Sequence, residues 1–290
     1  MHSHAQVPTV LVKEDRYRVY IATRPKQTLS LTTYVDVALD DPTRVLRVHD
    51  QPLLQPGKPG TFDEFGVMPS SVIAVGDLVY LYTTGWMRGH TVPYLNAVGL
   101  AVSRDGGHSF ERMFEGPVVD RTAREPFSAM SPFVMRQGAA WHMWYSSGTG
   151  WFQGPEKVEP VYLIKYASSD DGIAWRQPNI TCIPGKTPEE ANTRPAVVFD
   201  RGAYHMWFSY RGSRDFRGGA GSYRIGYARS TDAKAWTRDD SKAGIEAAAT
   251  GWDSGSVAYP YVVEGPKGRV MFYNGTDFGR GGFGVATWTE

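Results

Sequence analysis

The chain has one cysteine, Cys182, so an intrachain disulfide framework is excluded. No stretch approaches the roughly 20 apolar residues that cross a bilayer as a helix. At the amino terminus, the basic region and apolar stretch of a secretory signal are missing. These absences lead to the expectation of a cytoplasmic protein with no membrane partner. Charge of one sign is also lacking: 31 Lys and Arg stand against 30 Asp and Glu, a formal net of +1. Such a balance gives no global field to draw in nucleic acid, and no nucleic-acid partner is expected. Neither a P-loop nor a dinucleotide fingerprint occurs. The one metal-like spacing, His2-x-His4, is read as a disordered terminus, so no metal and no cofactor are expected.

What is present is a long period. A proline is followed thirteen residues later by an aromatic or β-branched residue at five places: Pro8 and Ile21, Pro69 and Tyr82, Pro132 and Tyr145, Pro195 and Phe208, Pro260 and Tyr273. The prolines are 61, 63, 63 and 65 residues apart. A period of that length, filled with short alternating segments, marks a repeat architecture. By length alone 290 residues would suggest about two domains. The five units use the whole chain without a linker, so one domain over residues 1–290 is expected.

Each unit reads as strand, turn, strand, loop, strand, with apolar residues alternating. In the third unit these are 131–135, 141–145 and 162–166; in the first, more degenerate unit they are 9–12, 18–22 and 33–38. Three units then carry a related turn, beginning Ser103-Arg104-Asp105-Gly106, Ser169-Asp170-Asp171-Gly172 and Ser230-Thr231-Asp232-Ala233. The first matches the hairpin known as the Asp box, in which the Asp accepts backbone N–H groups and an aromatic packs back on the sheet. These turns are read as structural. Four-stranded units repeated radially make a β-propeller, so an all-β, five-bladed β-propeller is expected. The last unit has no room for a fourth strand, which leaves ring closure to side-chain packing between first and last blades.

In such a blade the start of the first strand and the loop from the second strand to the third share one face. Four units place a carboxylate five to seven residues before the proline: Asp63 (with Glu64 beside it), Glu125, Glu190 (with Glu189 beside it) and Asp253. Four equivalent acids would converge on one axis, and two separated carboxyls are the usual equipment of glycoside hydrolysis. The competing reading is that they cap turns or pair with Arg24, Arg124 and Arg194. Trp86 and Trp151 each follow a Thr-Gly after a second strand and are candidate sugar platforms. The fourth and fifth walls carry Arg211, Arg214, Arg217 and Arg280 among glycines, read as mobile and suited to an anionic or very polar ligand. His142 and His205 share a mid-strand position and are read as structural.

With these residues the chain resembles the five-bladed propeller glycosidases, the superfamily of arabinanases, invertases, levansucrases and mannoside phosphorylases. The resemblance spans essentially the whole chain. It is carried by the five-fold repeat, by Gly60-Thr61-Phe62-Asp63 ahead of Met68-Pro69, by Asn192-Thr193-Arg194-Pro195 and by Tyr273-Asn274-Gly275. More narrowly the chain looks like uncharacterised glycosidase-like proteins encoded beside bacterial surface-polysaccharide genes. The resemblance implies Asp63 as base or nucleophile, Glu125 as the positioning acid and Glu190 as proton donor, with Arg194 and Asp253 on the substrate. The Asn-Asp-Pro motif of invertases is absent, and Arg124-Glu125-Pro126 is an analogue of their Arg-Asp-Pro.

The expected function is therefore glycoside processing by carboxylate acid/base catalysis on a polar or anionic glycan or activated sugar. Substrate contacts are expected from Arg24, Glu64, Trp86, Trp151, Arg194, Asp253, Tyr259, Asn274 and Arg280. A phosphorylase or transferase, and a non-catalytic sugar-binding propeller, are the alternatives. The partner is a small-molecule carbohydrate; the sequence does not determine oligomeric state.

Overall fold

Period-two alternation becomes strand pairing throughout the computed structural model, which describes residues 3–26, 29–154 and 158–288. His2 of the terminal His-x-His pair lies outside them. The described residues form antiparallel meanders in chain order. The first is β1 (Gln6–Val12), β2 (Arg16–Lys26), β3 (Leu29–Ala38) and β4 (Val45–Val48). The second is β5 (Gly66–Val75), β6 (Leu78–Met87), β7 (Leu95–Ser103) and β8 (Glu111–Arg112). The third is β9 (Ala129–Gln137), β10 (Ala140–Gln153), β11 (Val158–Ser169) and β12 (Arg176–Ile183). The fourth is β13 (Ala191–Asp200), β14 (Ala203–Arg211), β15 (Arg224–Ser230) and β16 (Thr237–Arg238). The last is β17 (Ala258–Gly265), β18 (Gly268–Asn274) and β19 (Gly284–Thr287). No α-helix occurs among the described residues, and no helix there is long and apolar enough to cross a membrane.

The leading strands pack in a cycle: β1 on β5, β5 on β9, β9 on β13, β13 on β17, and β17 back on β1. Each sheet therefore has two apolar faces to bury. In β10, Trp141, Met143 and Tyr145 enter the cluster shared with Tyr80, Tyr82 and Val98 of the preceding meander. The intervening Trp144 enters the cluster shared with Tyr204 and Met206 of the next. One strand thus supplies two cores, as its pleat dictates.

The repeat prolines sit at bulges. Pairing shifts register between Gln6 and Thr9, Pro69 and Ser71, Thr193 and Ala196, Ala258 and Tyr261, and opposite Trp144 and Ser146. Proline lacks the N–H that a regular ladder needs, so a bulge there forfeits no donor. At four of these sites the residue before the proline is left-handed: Val7 (φ 53°), Ser131 (50°), Arg194 (55°) and Tyr259 (57°). Non-glycine residues in that region cost roughly 1–3 kcal/mol each. The strain falls on a single ring of positions.

The Asp boxes close as expected and also bind neighbouring sheets. Asp171 Oδ1 accepts from the N–H groups of Ile173 (2.8 Å) and Ala174 (2.9 Å), and Asp232 Oδ1 from those of Lys234 (2.9 Å) and Ala235 (2.8 Å). Each turn also offers a carbonyl to an aromatic of the preceding meander. Tyr20 Oη donates to Gly107 O (2.8 Å), Tyr82 Oη to Gly172 O (2.6 Å) and Trp144 Nε1 to Ala233 O (2.8 Å). Gly172 is required here, because a Cβ would lie 2.9 Å from the Trp141 ring. His142 and His205 bond Tyr166 Oη (2.7 Å) and Tyr227 Oη (2.6 Å) within their own sheets.

Asn274 joins the two chain ends. Its Oδ1 accepts from Val7 N (2.8 Å), and its Nδ2 donates to Ala5 O and Gly282 O, both at 2.9 Å. Tyr17 packs edge-on against Phe272 at 5.5 Å across the same junction. Side-chain contacts and the backbone bond from Ala5 N to Gly279 O (2.8 Å) join the first meander to the last, with no exchanged strand among the described residues.

Candidate ligand-binding site

The leading strands begin around a cavity of about 320 Å³. Its lining includes the residue before every repeat proline: Val7, Met68, Ser131, Arg194 and Tyr259. The walls come from the loops after the second strands, through Arg88 and Tyr94 in the second meander and Phe216 and Arg217 in the fourth. Bulges explain why these side chains meet, since a bulge re-aims the residue it carries.

Arg194 forms the floor. It is 1% exposed and donates from Nη1 to Ser70 O (2.9 Å) and from Nη2 to Pro8 O (2.9 Å) and Thr9 Oγ1 (2.6 Å). Its Nε has no hydrogen-bond partner. Burial without a counter-ion brings its pKa down to about 10. Arg211, also buried, donates from Nε to Tyr162 Oη and Tyr223 Oη (both 3.2 Å) and from Nη2 to Pro160 O (2.9 Å). Arg24 gives Nη2 to Gln6 Oε1 (2.8 Å), and burial lowers its pKa. Arg88 lies over the Phe65 ring at 4.7 Å. Arg217 meets a carboxylate, Glu159, at 3.2 Å.

Aromatic groups complete the wall. Trp86 packs on Tyr94 at 4.5 Å, and Tyr223 on Tyr259 at 5.3 Å. Burial pushes the Tyr259 phenol up to about 12 and raises Tyr94, Tyr162 and Tyr223 as well. These hydroxyls stay protonated at neutral pH and act as donors. Among the described lining residues there are five arginines and no Asp, Glu, His, Lys or Cys. The described lining is cationic and suits an anion, and none of its side-chain types exchanges a proton near neutral pH.

The sequence-based acids stand elsewhere. Asp63, 2% exposed, is held by Arg112 of β8 (Nε at 2.8 Å) and by Thr61 Oγ1 (3.0 Å). Glu190 takes Arg238 Nη1 of β16 at 2.5 Å. Glu125 accepts from Tyr145 Oη at 2.6 Å, with Lys165 Nζ at 3.9 Å. Asp253 accepts from Tyr273 Oη at 2.8 Å. Each acid braces the approach to a leading strand against a later strand of its own sheet. None of the four is among the residues that line this cavity.

Of the other expected contacts, Arg24, Trp86, Arg194 and Tyr259 line the cavity. Trp151 is outside the lining and touches it through Tyr94, with rings 6.1 Å apart. Glu64 accepts from Gly60 N at 2.7 Å, and Asn274 is committed to the chain junction. Arg280 is exposed and outside the lining. Among the wall glycines, Gly219 makes room for Asp215, since a Cβ there would fall 2.6 Å from Asp215 Oδ2, while Gly218, Gly281 and Gly282 face open space. Arg88, Tyr94, Tyr162 and Tyr223 belong to no motif that marks them as contacts in the sequence. Their one signal is position, on or beside the loop joining second and third strands.

The comparisons agree with this fold. No protein-family model matches the chain. Two Mycobacterium tuberculosis proteins, uncharacterized protein Rv1502 (strain H37Rv) and uncharacterized protein MT1551 (strain CDC 1551), are each 37% identical over 286 residues, covering 98% of this chain and 92% of theirs. The chain belongs to their family. Among solved structures, a BT0996 complex with RGII superposes with TM-score 0.78 at 15% identity, covering 100% of this chain and 88% of that one. A thermostable family-43 glycoside hydrolase gives 0.70 at 16% identity, with 93% and 83% covered. An alpha-L-arabinofuranosidase from Lactobacillus brevis gives 0.70 at 10% identity, with 99% and 91% covered. At these identities the likeness to the glycoside hydrolase structures is one of fold alone.

Proposed function

We propose that this protein is a five-bladed, carbohydrate-active propeller whose axial cavity takes a sugar carrying an anionic group. The cycle of leading strands and the junction at Asn274 support five blades. One observation carries the ligand class: five arginines and no carboxylate among the described lining residues, beside a wall of aromatic rings. Guanidinium forks fit carboxylate and phosphate oxygens, and flat rings fit the C–H face of a sugar.

The fold favours glycoside processing, as in the glycosidases it resembles. Hydrolysis by paired carboxylates needs acids on both sides of the bond, and the bracing acids do not supply them at this cavity. A glycosidase whose acids act from beside the cavity fits the fold, and two other readings fit this lining: a binding propeller, or an enzyme in which an anion held by the arginines is itself a reactant, as in a phosphorylase.

The test compares glucuronic acid with glucose by thermal shift, on the wild type and on Arg24→Gln. The expected result is stabilisation by the acid alone, weakened in the variant. Equal stabilisation by both sugars contradicts an anion-selective cavity.

A further inference from the structure

The charge count in the cavity exceeds what one carboxylate can answer. Arg217 is paired with Glu159. Arg24 is bonded to an amide, Arg88 lies on a ring, and Arg194 and Arg211 are spent on carbonyls and hydroxyls. Four guanidinium groups of the lining thus have no carboxylate partner among the described residues. Arg194 and Arg211 are buried and Arg24 half-buried, and a buried charge without a counter-ion is destabilising, so the lining favours an anionic partner.

We infer that the anionic group received here is a phosphoryl group; this rests on the reading of the cavity as an anionic-sugar site. A uronic acid brings a single negative charge and two acceptor oxygens. A phosphate monoester brings about −1.5 to −2 and three acceptor oxygens. The second set matches the lining better in both charge and donor number. Arg24 commits one terminal nitrogen within the protein among the described residues, which leaves the rest of its fork for an oxygen pair. Arg194 adds an unpartnered, buried N–H at the floor. Arg211 acts at one remove: it donates to Tyr162 and Tyr223, whose oxygens are also 2.8 Å from each other. One of those hydroxyls donates to the other, and Tyr259, which lines the cavity, packs on Tyr223. The aromatic wall then takes the organic part of the molecule.

Two sources share this chemistry, a phosphorylated sugar and free phosphate. Isothermal titration with glucose 1-phosphate, UDP-glucose, inorganic phosphate, glucuronic acid and glucose separates them, using wild type, Arg24→Gln and the rim variant Arg88→Gln. Urea unfolding confirms that the variants fold. The expected order places a phosphate-bearing ligand at least about tenfold tighter than glucuronic acid, with each variant losing about tenfold for that ligand. Tight binding of an ester with weak inorganic phosphate assigns a phosphorylated sugar; inorganic phosphate binding as tightly as the esters assigns free phosphate. Glucuronic acid binding as tightly as any phosphate, or variants that bind phosphate unchanged, overturns the phosphoryl assignment and leaves the anionic-sugar reading standing. If no anion binds, both fall.

Discussion

Arg194 Nη2 donates to Thr9 Oγ1 at 2.6 Å, joining residues 185 positions apart on the leading strands of different meanders. The same guanidinium reaches backbone carbonyls of Ser70 and Pro8. It ties three meanders together at the floor of the cavity while carrying a charge with no carboxylate partner among the described residues. On the proposed reading, structure and recognition meet in this one side chain.

This makes Arg194 a stability determinant. Arg194→Ala removes several charge-assisted donors and leaves buried carbonyls unpaired, an expected loss of about 3 kcal/mol or more. Urea unfolding measures it. A loss below about 1 kcal/mol would show that the contacts across the axis contribute little.

The bracing acids are expected to behave as structural groups. Asp63→Asn weakens the bond to Arg112, and Glu190→Gln that to Arg238, at about 1–3 kcal/mol each. Ligand affinity at the cavity stays within about twofold of wild type, because neither acid lines it. Calorimetric binding to each variant is the check, and loss of binding with full stability would restore these acids to the site.

The locks between sheets give a third expectation. Tyr82→Phe removes the donor to Gly172 O and Tyr20→Phe the donor to Gly107 O. Each leaves packing intact, so a loss of about 1 kcal/mol is expected in urea, and the two should add because they join different pairs of meanders. Strong non-additivity would mean that the turns do not act independently.

Much of this fold is legible in the sequence because its period is carried by residues with one structural meaning. The repeat prolines mark bulges, and the aromatic thirteen residues later is a buried position of the second strand, as with Tyr82 and Tyr145, both at 0% exposure. The outer strands β8 and β16 span two residues each, too few for alternation to show. The site is harder to read for a physical reason: symmetry repeats braces as faithfully as it repeats binding groups. Asp63, Glu125, Glu190 and Asp253 recur in four units, and each is engaged by a later strand of its own meander. Tyr145 and Tyr273 engage Glu125 and Asp253, whereas Tyr82 gives its hydroxyl to Gly172 O and Arg112 holds Asp63. Phe208 has no hydroxyl, and there Arg238 engages Glu190. Of the cavity arginines, Arg24 and Arg211 each stand sixteen residues after their repeat proline, whereas Arg88 and Arg194 stand elsewhere in the period, so the repeat reveals only one pair.

The Asp boxes predict an acid limit to stability. Backbone N–H groups, led by those of Ile173 and Lys234, hold the carboxyls of Asp171 and Asp232 below their ordinary range. Their folded pKa lies under the unfolded value of 3.8, so this contribution is complete above that value and is lost as pH falls through the folded one. The urea midpoint of wild type should fall below about pH 4. A protein carrying Asp171→Asn and Asp232→Asn should start lower at pH 7 and fall less steeply. Parallel pH profiles would remove the boxes from the acid response.

The most direct test of the account is a crystal structure of the protein with an anionic sugar such as glucose 1-phosphate. The account predicts the ligand in the axial cavity, its anionic group against Arg24 and the floor at Arg194, and its ring on the Trp86–Tyr94 wall. A sugar bound instead between Asp63 and Glu190, with the axial cavity holding only solvent, would contradict it.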